Sequence, residues 1–170
     1  MSLLDRDAIL ELLTDLGATL ADAGERAELF LVEGAAMALA YNTRRATRDL
    51  DAIFDPKQVV YEAAREVGER HGLRDDWLND AVKGFLPGID PNATVLFDAP
   101  GIAVRVASRR YLFAMKAVAA RVERDAEDLV TLYRLCGFAS VDEALACVEE
   151  TYPPHLLPPK TEFLVRELLG

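Results

Sequence analysis

Residues 30 to 54, FLVEGAAMALAYNTRRATRDLDAIF, constrain this chain more than any other stretch. The apolar run Leu29, Phe30, Leu31 and Val32 reads as a buried strand. It meets Gly34 and then the small or helix-forming residues Ala35, Ala36, Met37, Ala38, Leu39 and Ala40. A polar, basic break follows at Asn42, Thr43, Arg44 and Arg45, and a second short strand is predicted over residues 49–54. Side chains alternate across a strand, so Asp49 and Asp51 point one way and Leu50 the other. Two carboxylates on one face repel unless a cation lies between them, and a divalent metal is the usual answer. The plainer reading of Asp-x-Asp is the polar face of an edge strand. The preceding strand, glycine turn, helix and arginine-bearing hinge set this pair apart from an isolated one.

The flanks read in order. Residues 5–23 form an amphipathic helix, with Asp5 as cap, Ile9, Leu12, Leu13, Leu16 and Leu20 as the apolar stripe, and Gly24 at its end. Asp55-Pro56 breaks the second strand and opens a helix with Val59, Val60, Ala63, Ala64 and Val67 inward and Gly72 at its end. Residues 74–92 are the least regular, with turn chemistry at Pro87-Gly88 and Asp90-Pro91. They read either as a substrate-facing loop or as a surface loop pinned by Trp77. Residues 93–107 read as a hairpin turning at residues 98–101, with Ala103 and Arg105 on one face of its second strand and Ile102, Val104 and Val106 on the other. Ser108 caps a helix that turns Tyr111, Leu112, Met115, Ala119 and Val122 inward. Lys116 in that helix reads as solvated by default. Asp125 and Asp128, three apart, share one helix face, and Asp125 suits a helix start. Gly137 ends that helical run, Ser140 to Glu143 forms a capping box, and a proline-rich connector leads to a last short helix.

Composition narrows the function. The chain has 170 residues, 51% of them apolar, and a net charge of −10, so it has enough material for one domain with a core. The acidity argues against broad coating of nucleic acid, although the arginines cluster at Arg44, Arg45 and Arg48 and again between Arg105 and Arg124. No apolar run of about eighteen residues suggests a membrane span. The opening MSLLD lacks the pattern of a signal peptide, so a cytoplasmic location is expected. Cys136 and Cys147 sit in apolar helical patterns without metal-ligand spacing and read as buried free thiols. His71 and His155 have no neighbours that suggest a triad or a zinc site.

Gly34, Ala36, Leu39, Arg45, Thr47, Asp49 and Asp51 together resemble the signature of the DNA polymerase β-type nucleotidyltransferases. The likeness is greatest to the minimal bacterial branch related to AbiEii toxins and covers roughly residues 28 to 136. Asp76-Trp77-Leu78-Asn79-Asp80 and Met115-Lys116, followed by Arg124-Asp125 and Asp128, match further segments of that branch. One position departs: Glu33 stands where the family has the first of two glycines.

The resemblance implies an α/β (α+β) fold, a mixed sheet flanked by helices over about residues 25–107, with a helical C-terminal part over 108–170, in a single domain. It implies that Asp49 and Asp51 hold Mg²⁺ or Mn²⁺ and that a nucleoside triphosphate is the substrate. Gly34 and Ala35 at the helix start, with Arg45, Thr47, Arg48 and Lys116, would bind the nucleotide, Lys116 also serving catalysis. Asp98 is a weak candidate for a third carboxylate. Arg124, Asp125 and Asp128 are supporting candidates, Asp128 as an orienter of Lys116 or Arg124. The acceptor hydroxyl would belong to RNA, a protein or a small molecule, and a toxin role with an antitoxin partner is implied. Two other classes stand beside this. Glu33 and the missing third carboxylate favour an inactive nucleotide- or partner-binding module. A structural domain would instead pair Asp49 and Asp51 with Arg45 and Arg48.

Overall fold

A computed structural model describes residues 3–41, 46–120 and 122–170, and of Val122 only the backbone. The chain divides into two compact units, Met1–Gly84 with Ala93–Ala107, and Phe85–Asn92 with Ser108–Gly170. The first helix falls in the unit that holds the sheet, and residues 85–92 fall in the other.

In the first unit, helix α1 (Arg6–Asp22) begins where Asp5 accepts the Ala8 amide at 2.9 Å. Strand β1 (Ala27–Leu31), helix α2 (Glu33–Ala40) and strand β2 (Leu50–Asp55) follow. Helix α3 (Lys57–His71) starts after Pro56 and ends at Gly72, whose φ of +68° closes the helix. The segment expected to be irregular contains strand β3 (Leu78–Asn79) and a 3-10 turn, Ala81–Phe85. Two residues offer no periodicity to read, which is why β3 escapes sequence analysis. Tertiary contacts hold it instead. Trp77 is 2% exposed and its indole N–H donates to the Ala64 carbonyl at 2.8 Å, while the Trp77 carbonyl accepts the Leu50 amide at 2.6 Å.

Strands β4 (Thr94–Ala99) and β5 (Ile102–Val106) form the predicted hairpin. The sheet order is β3-β2-β1-β5-β4. β1 runs antiparallel to β2 and parallel to β5, so the sheet is mixed. Leu29, Leu31, Leu50, Ala52, Ile102 and Val104 are buried on one face. α1 approaches that face through Gly17, where a Cβ would lie 2.5 Å from Ile102 Cγ2. The other face carries Phe30, Asp51, Ile53 and Ala103, half-buried, and Glu28, Asp55 and Arg105, exposed.

The second unit is helical: α4 (Arg109–Ala119), α5 (Val122–Cys136), α6 (Val141–Thr151) and α7 (Lys160–Leu169). Ser108 caps α4 by accepting the Tyr111 amide at 3.3 Å. Its other partner was not foreseen: Asp90, 9% exposed, accepts the Ser108 amide at 2.7 Å and pins residues 85–92 to this unit. α4 also ends sooner than the apolar pattern suggests, since Ala120 turns extended (ψ 132°). Ala119 is therefore exposed, not inward, while the side chain of Val122 lies outside the description. Phe113 takes the core position, packed edge-on against Phe138 at 5.0 Å. In the capping box, the Ser140 hydroxyl accepts the Glu143 amide at 3.1 Å, and Glu143 reaches back to the Ala139 amide at 2.6 Å. Cys147 is buried and Cys136 half-buried, and both are free. Burial pushes Cys136 up to about 12 and raises Cys147, so both serve packing as thiols. No helix among the described residues is long and apolar enough to cross a membrane.

Candidate functional site

Regular pairing of β2 begins at Leu50, so Asp49 stands in a bend one residue before the strand, a correction to the strand predicted from residue 49. The Leu50 amide is the first to be taken by β3, through the Trp77 carbonyl, which leaves Asp49 free of ladder geometry. Asp49 and Asp51 are both half-buried. Thr47 shapes the bend. Its backbone exchanges two hydrogen bonds with Leu4, at 2.7 and 2.9 Å, and its hydroxyl donates to the Asp49 carbonyl at 2.9 Å. The hydroxyl expected to meet nucleotide is thus committed to the backbone.

α2 begins beside the same strand. The Val32 amide donates to the Asp51 carbonyl at 3.1 Å. Val32 is the N-cap residue and has no side-chain cap bond, so the amides that a capping side chain would take are those of Gly34 and Ala35. Gly34 is half-buried and Ala35 is 1% exposed. Glu33 has φ +53°, the left-handed conformation that glycine adopts without cost. The backbone at this turn therefore has glycine-like geometry even though the residue is glutamate.

On the other flank, Arg48, Asp49, Leu73, Arg74, Asp76 and Trp77 line a cavity of about 270 Å³. Arg48 is exposed, and Arg74 donates to Asp76 at 3.1 Å. Arg74 and Asp76 are not among the site residues expected from sequence, although both lie in the segment read as a possible substrate-facing loop and Asp76 opens the family-like stretch Asp76–Asp80. Arg45 lies outside the described residues. Asp80, from the same segment, belongs to the scaffold. The Tyr61 hydroxyl donates to it, Lys57 pairs with it at 3.0 Å, and these bonds, Tyr61's foremost, hold its carboxyl below the usual range.

Asp98 is not brought to this site. It lies on β4, three strands from β2, a lateral step of about 14 Å at normal strand spacing. It pairs with Arg26 at 2.7 Å and is 63% exposed.

Lys116 belongs to the second unit. Its ammonium lies 3.4 Å from Asp125 and 3.5 Å from Asp128, with all three side chains less than a fifth exposed. The aspartates sit one turn apart on α5 and face one lysine on α4, as their spacing suggests. Asp125 lies in the first turn of α5, where its charge also suits the helix end. Arg124 is exposed.

Two carboxylates suit Mg²⁺, which takes one or two from protein and fills its shell with water and phosphate oxygen. Among the described residues no group of three His, Cys, Asp or Glu side chains is arranged to hold a metal, so Asp49 and Asp51 would act as a pair. No protein-family model, curated protein or solved structure matches the chain.

Proposed function

We propose that the chain is a metal-dependent nucleotidyltransferase that moves a nucleoside monophosphate from a nucleoside triphosphate to an acceptor hydroxyl. One observation supports this reading: half-buried Asp51, two residues after half-buried Asp49, is joined through its backbone carbonyl to the Val32 amide at the start of a helix that has no side-chain cap. Carboxylates on a strand whose backbone meets an anion-seeking helix start would suit a metal-bound polyphosphate. Asp49 and Asp51 would hold Mg²⁺ or Mn²⁺, which when bound neutralises charge on the reacting phosphate and its leaving group. The Gly34 amide orients phosphate oxygen from one side. The Thr47 hydroxyl, bonded to the Asp49 carbonyl, holds the backbone that carries the Asp49 carboxylate. The acceptor oxygen forms its bond to the α-phosphorus as the bond to pyrophosphate breaks, and preorganised charge lowers that barrier.

The test is transfer of label from each of four α-labelled nucleoside triphosphates, with Mg²⁺ or Mn²⁺ and bacterial RNA or cell extract as acceptor. Label should move to one acceptor class and fall at least about a hundredfold in Asp49→Asn and Asp51→Asn, in line with loss of an electrostatic stabiliser. No transfer by folded protein under any condition would defeat the reading.

A second reading is favoured by Glu33. Its carboxylate stands at the helix start that phosphate would use, so the chain would bind nucleotide without turnover. Nucleotide binding without transfer, together with transfer restored in Glu33→Gly, would identify the glutamate as the cause.

A further inference from the structure

The Asp49–Asp51 strand has different surroundings on its two flanks. On the β1 side lies the start of α2, joined through Val32. On the β3 side lies the cavity lined by Arg48, Asp49, Leu73, Arg74, Asp76 and Trp77. In phosphoryl and nucleotidyl transfer the attacking and leaving oxygens stand roughly in line, on opposite sides of the phosphorus. If the triphosphate occupies the α2 flank, the β3 flank leaves the acceptor an approach.

The chemistry of that flank is specific. The protein carries a net charge of −10, and the cavity of about 270 Å³ brings together two guanidinium groups, Arg48 and Arg74, with Asp49 and Asp76 also in its lining. Asp76 offsets Arg74 through an ion pair at 3.1 Å whose partners are 66% and 57% exposed, an arrangement that water screens and that an incoming anion displaces at little cost. Guanidinium forks match phosphate oxygens in geometry and charge. Leu73, half-buried, and the edge of the buried Trp77 form the apolar part of the lining.

We infer that Arg48 and Arg74 hold a phosphate of the acceptor, so that the acceptor is a phosphate ester and not a protein hydroxyl. This rests on the transfer reading for the direction of attack, while the anion site itself stands on the cavity alone. Trp77 is the one tryptophan in the sequence and lines the cavity, so its emission reports on occupancy.

The experiment titrates the full chain, without metal or triphosphate, with inorganic phosphate, a nucleoside 5′-monophosphate and a 5′-phosphorylated trinucleotide. Binding is read by Trp77 emission and by calorimetry. The expected result is one saturable site, weakened about tenfold or more in Arg74→Gln and in Arg48→Gln. Asp76→Asn should bind more tightly than wild type, because it releases Arg74. A trinucleotide preference of tenfold or more identifies a chain end as the phosphate source, and equal binding identifies a small phosphorylated acceptor. In the transfer assay, Arg74→Gln should raise the acceptor KM and leave the triphosphate KM unchanged. Absence of saturable binding for all three probes, binding that both arginine variants leave intact, or a rise in the triphosphate KM instead would overturn the inference. Binding that persists with no transfer of label would leave the anion site standing and bring down the transfer reading.

Discussion

At the scale of single residues, Glu33 is the most informative position. Its φ of +53° is the conformation that costs a residue with a Cβ roughly 1–2 kcal/mol. Alanine normally exceeds glycine in a helix by about 1 kcal/mol. Here the order should reverse, with Glu33→Gly more stable than Glu33→Ala by about 1 kcal/mol in urea denaturation. Equal stabilities would show that the turn relaxes to an ordinary helical conformation in solution. Thr47 teaches a related lesson: a hydroxyl expected at the nucleotide is bonded to the Asp49 carbonyl, so its effect on a ligand runs through the position of Asp49.

Among the elements, β3 matters most to the cavity, because the lining residues Leu73, Arg74, Asp76 and Trp77 lead directly into it. It is two residues long and has no cohesion of its own. Trp77 anchors it to α3 by one indole hydrogen bond at 2.8 Å and by near-complete burial. Trp77→Phe removes the donor and leaves a smaller ring, which should cost about 1–3 kcal/mol. The Leu50 amide, bonded to the Trp77 carbonyl, should then exchange its hydrogen faster than the amides of β1. Unchanged protection at Leu50 would mean that the strand is held by something other than the tryptophan. The pair of helices α4 and α5 shows the opposite case, where two aspartates one turn apart hold Lys116 at 3.4 and 3.5 Å.

At the scale of the whole molecule, the acidic chain depends on a few well-paired carboxylates. Burial works against Asp15, but hydrogen bonds from His71 and Arg70 hold it below its ordinary range, and Tyr61 and Lys57 do the same for Asp80. A carboxyl depressed on folding adds stability that is complete above its unfolded value, about 4, and is lost as pH falls through the folded value. The melting temperature should therefore drop as pH falls below about 4, and the slope should be shallower in Asp15→Asn/Asp80→Asn. Parallel slopes would assign the acid sensitivity to other groups. Much of this molecule was legible in the chain itself. The caps at Asp5, Ser108 and Ser140, the helix end at Gly72, the hairpin and the Asp-x-Asp strand depend on neighbours within a few residues, so local chemistry determined them. The tertiary structure alone decided the rest. It set the five-strand order, placed Asp98 three strands from the pair, and set Arg74 and Asp76 beside Asp49. It also pinned residues 85–92 through Asp90 to Ser108. Those arrangements join residues distant in sequence, and such contacts follow from burial and pairing across the whole fold, which no local period or spacing encodes.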